Sequence, residues 1–419
     1  MPRGRTSDRN MTQLARSWLV LIAAMLVVSL AAPPAAAQEG SGHWPADEWA
    51  ISTPEDQGMA SGLLADGVSY LSRQDESGRL DIHSLTVIRG GHIVADATYD
   101  PFTEDGLHEL MSVTKSVTST LVGMAIDKGY IKGVDQPVLG FFADREVANV
   151  DADKEAMTIA DLLTMSSGQD CPEGPAFVTT EQMMATSDWV QFALDLPMAD
   201  PPGTHWTYCN AVSHLLSAIV TESTGMTLED FARKHLFEPL GINDVIWATD
   251  PQGFSLGYAG FFMRPHDLAK LGWLYLHEGE WDGQRVLSAD WIAASTTPGM
   301  ALNYGYQWWI GPSGYYASGY SGQRLYVFPS LDLLVVTTAG MGGLDPDRVV
   351  GTLLTRYVLP AIKSDRPLPA DPNGQAALWS AVREAAAPPA SSASSPEPVP
   401  EAAPVSYTHL TLPTTRQRC

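Results

Sequence analysis

The chain has 419 residues, of which 45% are hydrophobic and 17% charged, and its formal net charge is −23. This apolar content is enough for a sizeable core, either as one large domain or as two intimate lobes. The acidic balance repels nucleic acid and anionic lipid, so neither is expected as a partner. We expect no metal or other cofactor, because the sequence has no zinc-spaced His/Cys cluster, Walker loop or dinucleotide fingerprint.

Residues 1–37 have the features of a secretory signal peptide. Four arginines precede an apolar run from Trp18 to Leu30, and the small-residue stretch Ala35–Ala37 follows it. A basic region, a short apolar core and an A-x-A site are typical of cleaved export signals. Translation could also begin at Met11. We predict an exported protein, periplasmic or extracellular, with no stable membrane insertion once the signal is removed.

The first half of the folded region combines a hairpin with helices. A helix is expected to begin near Ser61, and β-rich runs from His83 to Thr98 flank Arg89-Gly90-Gly91, a hairpin signal. The next stretch, Val113 to Lys128, has helical periodicity and is followed by Gly129. From about residue 135 to 295 the pattern is mostly helical. Capping boxes are predicted at Thr158/Asp161 and Thr227/Asp230.

Strand character returns late in the chain, so strands at both ends of the sequence flank a helical middle. Four late strands are predicted in Gly305–Ile310, Tyr315–Ala317, Gln323–Phe328 and Leu333–Thr338, before a final helix from about Asp347 to Ile362. This order predicts an α+β fold, in which an antiparallel sheet covered by helices carries an inserted all-α lobe. We expect the α/β lobe at about 45–130 and 296–362, the helical lobe at about 131–295, and the site at their seam.

The folded region is expected to span residues 38–365. Beyond it, residues 366–405 are rich in Pro, Ala and Ser, which predicts a disordered tail with at most a short helix around Ala376–Ala387. The last residues, 406–419, are unlike the rest of the chain. They are similar to translated sequencing-adapter read-through, and we exclude them, including Cys419, from functional reasoning.

Ser112 and Lys115 form the first candidate catalytic motif. Three residues apart on a helix, they lie on one face about a turn from each other. A serine hydroxyl is a weak nucleophile until a base takes its proton, and a lysine can do so if burial lowers its pKa. Alone, the motif is equally typical of an ordinary polar helix start.

A second motif, Tyr208-Cys209-Asn210, is the only Tyr-x-Asn in the chain. A phenol beside an ammonium group can ionise more readily, and it could relay a proton between Ser112 and a leaving group. Asn210 offers a donor and an acceptor that could orient Lys115 or a substrate carbonyl. A buried aromatic residue beside a turn is the structural alternative for Tyr208.

The third motif is Ala317-Ser318-Gly319-Tyr320, on a strand that leads into a glycine-rich turn. A glycine there allows a close backbone approach, so that a strand amide can point at a bound carbonyl oxygen. The backbone amides of Ser112 and Tyr320 would then form an oxyanion hole. A plain β-turn is the alternative interpretation.

Cys171 and Cys209 could form a disulfide in an oxidising compartment, or they could be two separate small buried residues. Both interpretations stay open from the sequence. Nothing near either thiol resembles a Cys/His catalytic pair.

In this order, the three motifs resemble the penicillin-recognising serine hydrolases, which include class C β-lactamases, D,D-peptidases, carboxylesterases and 6-aminohexanoate-dimer hydrolase. The resemblance covers roughly residues 45–362 and includes longer stretches such as LLTMSSG (162–168) and PGTHWTYCNAVSHLLSAIV (202–220). It implies a β-lactamase/transpeptidase-like fold. It also implies that Ser112 is acylated, that Lys115 and Tyr208 act as general base and acid, and that the amides of Ser112 and Tyr320 bind the oxyanion.

One departure from the family concerns the substrate. Ala317 stands where class C β-lactamases have the lysine of Lys-Thr-Gly, and a neutral alanine cannot bind a substrate carboxylate. We therefore expect an esterase or short-amide hydrolase of the 6-aminohexanoate-dimer hydrolase branch. A β-lactamase or D,D-peptidase, and a non-catalytic penicillin-binding-type receptor, remain alternatives. Candidate substrate-binding residues are Ser318, Gly319, Tyr258 and Trp206. The oligomeric state is not predicted.

Overall fold

The computed structural model describes residues 44–45, 48–77, 81–340 and 346–388. The predicted signal peptide at 1–37 and the unusual segment at 406–419 lie outside the described residues. So does the part of the predicted tail that follows residue 388.

The predicted hairpin forms the first half of the main sheet. Strand β2 (Ile82–Arg89) pairs antiparallel with β3 (His92–Thr98), and Gly90 and Gly91 form the turn between them. Both glycines have positive φ, 57° and 74°, a backbone conformation that other residues adopt at a cost. The sequence signal at this turn is therefore confirmed.

The late strands complete a seven-stranded sheet in the order β1-β3-β2-β12-β11-β10-β9. The other strands of this sheet are β1 (Ala50–Ile51), β9 (Trp309–Gly311), β10 (Gly314–Ser318), β11 (Arg324–Phe328) and β12 (Leu333–Ala339). The two ends of the chain meet where β12 pairs antiparallel with β2, as predicted. The expectation of a wholly antiparallel sheet is wrong at one edge, where β1 pairs parallel with β3. A helix and β2 lie between them, which is connection enough for a parallel crossover.

One face of this sheet is covered by helices from both ends of the chain. These are α1 (Ser61–Glu76), the helical run of α11 (Pro346–Leu353), a π-helical turn (Leu354–Val358) and α12 (Leu359–Ala361), and finally α13 (Pro372–Ala385). Leu64 and Val68 of α1 share one buried cluster with Val87 and Val335 of the sheet. Removal of this apolar surface from water is what holds the terminal helices on the sheet.

The short helix expected around 376–387 is confirmed by α13, whereas the expectation of disorder is wrong for this part, because α13 packs on the protein. It begins before the short helix expected at 376–387, and the Asp371 side chain caps it by accepting from the amide of Gly374 at 3.0 Å. Leu378, Ala381 and Ala385 lie on one face of α13 and are buried in the same cluster as α1. Composition indicated disorder, but this apolar face has a partner in α1.

The opposite face of the sheet packs against α2 (Val113–Asp127), which is buried along almost its whole length.

The middle of the chain is mostly helical, as predicted. Its other helices are α3 (Ala152–Ala156), α4 (Ile159–Leu163), α5 (Val178–Met184), α6 (Trp189–Asp195), α7 (Asn210–Thr224), α8 (Leu228–Ala232, continued by a π-helical turn at Arg233–Phe237), α9 (Pro265–Leu276) and α10 (Ala289–Ser295).

The helical region also contains short strands that the sequence did not indicate. A three-stranded sheet has the order β4 (His108–Glu109), β6 (Phe261–Met263), β5 (Ile246–Trp247). Separately, β7 (Glu280–Trp281) pairs with β8 (Gln284–Arg285).

The capping box of Thr158 and Asp161 is confirmed, and Thr227 caps α8 by accepting from the amide of Asp230. In the described part of the chain, no helix is both long and apolar enough to span a bilayer.

The packing of α13 can be tested with two neighbouring positions. Leu378 is 7% exposed, whereas the next residue, Trp379, is 61% exposed. Leu378→Ala should lower the free energy of unfolding by about 2 kcal/mol, because it removes buried methyl groups. Trp379→Ala should change it by less than about 0.5 kcal/mol. Guanidinium unfolding measures both, and equal effects at the two positions would contradict the packing of α13.

Candidate active site

Ser112 lies at a sharp turn between a short strand and a buried helix. The backbone amide of Leu110 donates to the carbonyl of Phe261 in β6 at 2.8 Å, which anchors the chain just before the turn. Met111 has a φ of 48°, an uncommon conformation for a residue with a side chain, and Ser112 is the N-cap of α2. The Ser112 side chain is thereby presented, half-buried, at the start of the helix.

Lys115 is 1% exposed and points at Ser112. Its Nζ donates to Ser112 Oγ at 2.9 Å and to the carbonyl of Tyr258 at 3.0 Å. Burial lowers the pKa of Lys115 to about 7, against an opposing effect of the Glu173 carboxylate. An amine with this pKa is substantially neutral near pH 7, so it can accept the proton of the serine hydroxyl.

Tyr208 completes a group of three side chains around the serine. Lys115 Nζ lies 4.9 Å from the centre of its ring, and the Ser112 side chain acts to lower the pKa of the Tyr208 hydroxyl. The expectation that the phenol ionises more readily is wrong. Burial raises the pKa of Tyr208 well above its usual range, and the charge of Glu173 raises it further, while the Ser112 side chain only partly opposes this. Tyr208 is therefore a neutral proton donor in the resting site.

Asn210 stands one layer behind these groups. Its side-chain Nδ2 donates to Thr180 Oγ1 at 2.8 Å and its backbone amide donates to Glu173 Oε1 at 3.0 Å. Its Oδ1 has no hydrogen-bond partner among the described residues. The contacts of the Asn210 donors are with Thr180 and Glu173, so the role of Asn210 in orienting Lys115 or a substrate carbonyl stays a prediction.

Gly319 brings the end of β10 against the nucleophile turn. A side chain at this position would collide with the carbonyl of Leu110 and with the Cβ of Met111, so only glycine permits the approach. Tyr320 follows it in a 3₁₀ turn (Tyr320–Gly322), and Ser318 lies half-buried on β10. This arrangement is compatible with an oxyanion hole formed by the amides of Ser112 and Tyr320, which stays a prediction.

Aromatic side chains surround the site. Trp206 contacts Tyr208, Tyr304 and Trp309, with ring centroids 6.3, 5.7 and 6.2 Å away. At the mouth, the half-exposed ring of Tyr320 meets Phe177 edge to face at 5.8 Å. These contacts place Trp206 beside Tyr208, and its role in substrate binding stays a prediction.

Tyr258, another candidate substrate-binding residue, is only 6% exposed. Its backbone carbonyl holds Lys115, and its ring packs against His214. His214 in turn pairs with Asp250 at 3.0 Å in a fully buried contact. These residues support the site from within the core.

A disulfide between Cys171 and Cys209 joins two loops of the site, with their Cα atoms 5.8 Å apart. Of the two interpretations that the sequence left open, the structure therefore has the disulfide and not two separate cysteines. The two sulfur atoms and a carboxylate oxygen of Glu173 lie within 4.8 Å of one another. Because the sulfur atoms are bonded to each other, they offer no thiolate to a metal ion.

Sequence reasoning did not identify Glu173, Phe177, Thr180 and Tyr304 as part of the site. A signal for Glu173 was present, because it follows Cys171 by two residues and Tyr208 precedes Cys209 directly. A bridge between the two cysteines would bring the acid close to the tyrosine. Because the sequence left open whether this disulfide forms, Glu173 was not predicted to lie near Tyr208. Phe177 and Tyr304 carry no local motif.

The fold and this site define a serine hydrolase of the β-lactamase and penicillin-binding-protein type. A model of the family described as Beta-lactamase matches residues 69–358, and the chain belongs to that family.

Relatives with several activities are found within the family. The 6-aminohexanoate-dimer hydrolase of Paenarthrobacter ureafaciens is 25% identical over 323 residues, 71% of this chain and 81% of the relative. A structure from Bacillus anthracis, described provisionally as a 6-aminohexanoate-dimer hydrolase, is 17% identical with a TM-score of 0.63 and covers 78% of this chain and 89% of its own. The octameric penicillin-binding protein homologue of Pyrococcus abyssi is 21% identical with a TM-score of 0.56, over 73% of this chain and 79% of its own. The two structures confirm the predicted fold.

The disulfide predicts a measurable loss of stability when it is removed. Cys171→Ser together with Cys209→Ser should lower the free energy of unfolding by about 2–4 kcal/mol, because the unfolded chain regains the freedom of the closed loop. Ser313→Ala, at an exposed position in the turn between β9 and β10, is the control and should leave stability unchanged. Denaturant unfolding without reductant measures all three proteins. If the double variant unfolds like the unmodified protein, the bridge is absent.

Proposed function

We propose that the protein hydrolyses small carboxylic esters or short linear amides through an acyl-enzyme on Ser112. The observation that carries this proposal is the 2.9 Å contact of Lys115 Nζ with Ser112 Oγ inside a buried site. A neutral lysine at this distance can accept the serine proton, and the neutral phenol of Tyr208 can donate one. The similarity to a 6-aminohexanoate-dimer hydrolase supports the substrate class.

In the acylation step, Ser112 Oγ bonds to the substrate carbonyl carbon while its proton passes to Lys115 Nζ. The carbonyl oxygen becomes an oxyanion, for which the amides of Ser112 and Tyr320 are the proposed donors. The bond to the leaving oxygen or nitrogen then breaks, and Tyr208 supplies the proton that this atom needs. The ammonium of Lys115 returns a proton to Tyr208, so the two groups are restored.

Deacylation follows the same path in reverse. Water takes the place of the leaving group, gives a proton to the Lys115–Tyr208 pair and attacks the acyl carbon. Collapse of the second tetrahedral intermediate releases the carboxylic acid, and Ser112 Oγ recovers its proton. One substrate molecule and one water molecule are consumed in each cycle, and the three side chains return to their starting protonation states.

A β-lactamase or D,D-peptidase is the second candidate, and the charge of the site disfavours it. Ala317 is fully buried and supplies no cation for a substrate carboxylate. Arg324 lies opposite Ser318 in the neighbouring strand, but its guanidinium donates to Asp347 and to the carbonyls of Gly319 and Gln323. It is thereby occupied and does not replace the missing lysine.

A non-catalytic receptor on the same fold is the candidate of another class. The contacts among Ser112, Lys115 and Tyr208 argue against it, because a binding protein has no need for a desolvated lysine beside a serine.

We also propose that the protein is exported. A disulfide persists in an oxidising compartment, which agrees with the signal sequence at residues 1–37.

Activity against a small panel tests the reaction and selects the substrate branch. The panel contains p-nitrophenyl acetate and butyrate, the linear 6-aminohexanoate dimer, nitrocefin and a D-Ala-D-Ala peptide. Ester or linear-amide turnover should exceed the other activities, and Ser112→Ala should lower kcat/KM by about 10³-fold or more.

Ser119→Ala is the matched control, because Ser119 lies on the same helix and its buried hydroxyl has no partner among the described residues. It should keep its activity and, like the unmodified protein, should be labelled by a fluorophosphonate. Equal residual activity in Ser112→Ala would exclude Ser112 as the nucleophile. Fast nitrocefin turnover would favour the β-lactamase alternative, and failure of labelling would favour the receptor.

The pKa of Lys115 predicts the pH profile. Lys115 must be neutral to accept a proton, and its pKa is about 7. Below this pH, kcat/KM for an ester should therefore fall about tenfold per pH unit, and above it the rate should reach a plateau. Initial rates from pH 5 to 9 measure the profile. A rate that is constant over this range would show that Lys115 does not act as the titrating base.

A further inference from the structure

Glu173 is a buried carboxylate on the loop before α5, directly behind the catalytic side chains. Only 7% of its surface is exposed. Its oxygens accept hydrogen bonds from Thr180 Oγ1 at 2.8 Å, from the amide of Thr180 at 3.2 Å and from the amide of Asn210 at 3.0 Å. These three donors satisfy the hydrogen-bonding capacity that the carboxylate would otherwise lose on burial.

The disulfide holds this carboxylate beside the catalytic tyrosine. Cys171 precedes Glu173 by two residues, and Cys209 lies between Tyr208 and Asn210. The loop of the acid and the loop of the tyrosine are thus joined covalently, and the amide of Asn210 joins them a second time. The distance between the negative charge and the reacting groups is therefore set by covalent structure and by packing.

The charge of Glu173 acts on both catalytic groups. It raises the pKa of Lys115, against the larger effect of burial, and it raises the pKa of Tyr208 in the same direction as burial. Among the described residues, Glu173 is the one carboxylate whose charge acts on Lys115. Without it, desolvation alone would determine how easily Lys115 gains or loses a proton.

We propose that Glu173 is a positioning residue that sets the pH at which the Lys115–Tyr208 pair becomes competent to activate Ser112. The inference rests on the proposed function, since it takes neutral Lys115 as the base. Glu173 does not touch the substrate in this proposal. It acts through Lys115, by stabilising the ammonium that forms when the serine proton is taken.

The other groups that face the pair are neutral in the resting site or belong to the reaction. Lys115 faces Ser112 on its own helix, Tyr208 from the loop before α7, and Tyr258 from the loop before β6. Tyr304, from the loop before β9, acts on Tyr208, and its own pKa is raised far above neutrality by burial. A change in the pH profile on removal of the Glu173 charge is therefore attributable to that charge.

The test compares pH profiles of kcat/KM for an ester and of the rate of Ser112 labelling by a fluorophosphonate. Glu173→Gln removes the charge and keeps the size. Because the Glu173 anion raises the pKa of Lys115, its loss should move the rising limb to lower pH by about half a unit or more. Glu173→Asp keeps the charge, so its limb should stay near that of the unmodified protein even where the rate falls.

Glu55→Gln is the matched structural control. Glu55 is also a buried carboxylate, held by the amide and hydroxyl of Ser61, and it lies outside the site. This variant should lose stability without moving the limb. If Glu173→Gln does not fold, Glu173→Ala carries the same test, since it also removes the charge and presents no new donor to Asn210.

Two outcomes separate the inference from the proposed function. If a folded, charge-free variant keeps the limb of the unmodified protein, Glu173 is structural only and the inference is overturned. If the unmodified protein is not labelled at Ser112 and turns over no ester, the proposed function itself is wrong, and the inference about Glu173 falls with it. A shifted limb in Glu173→Gln with unshifted limbs in Glu173→Asp and Glu55→Gln supports the inference.

Discussion

The placement of Lys115 in a nearly water-free position is the constraint on which the rest of the site depends. An ammonium group is costly to bury without a matched partner, and within the described part of the chain the hydrogen-bond acceptors of Lys115 are neutral: Ser112 Oγ and the carbonyl of Tyr258. The same burial lowers the pKa of Lys115 to about 7, which the proposed role of this amine as a base requires. Much of the surrounding structure serves to keep that position fixed: the β4–β6 pairing, the left-handed Met111 and the glycine at 319.

At the site, the sequence predicted the residues that carry recognisable motifs. It did not predict the effects of burial and of a nearby charge on their pKa values. The motifs that contain Ser112, Lys115 and Tyr208 were found, because their spacing and order are visible along the chain. The ionisation of Tyr208 was predicted in the wrong direction, because the burial of a side chain and the presence of a distant carboxylate are properties of the folded state. Glu173 was missed for the same reason. Its position depends on a disulfide that two cysteines in a sequence do not by themselves establish.

The fold likewise contains features that the sequence predicted and features that it did not. Glycine turns, strand periodicity and the capping box at Thr158 predicted the main sheet and most helices, because each of these signals is local. The tail was misjudged from composition, since nothing in an alanine-rich segment reveals that α1 offers it an apolar partner. The parallel pairing of β1 and the small sheet of β4, β5 and β6 involve strands of only two or three residues, too short for a recognisable alternation.

The pairing of β2 with β12 has a consequence for how the protein is made. The hydrogen bond between Ser84 and Thr338 joins residues 254 positions apart, and β10, which must meet the nucleophile turn, also comes from the last third of the chain. Contacts of this range form slowly, because loop closure must precede any gain from pairing. During synthesis, the segment around Ser112 therefore leaves the ribosome long before its sheet partners exist. The turn that holds Ser112 therefore gains its neighbour on β10 only after most of the domain has been translated.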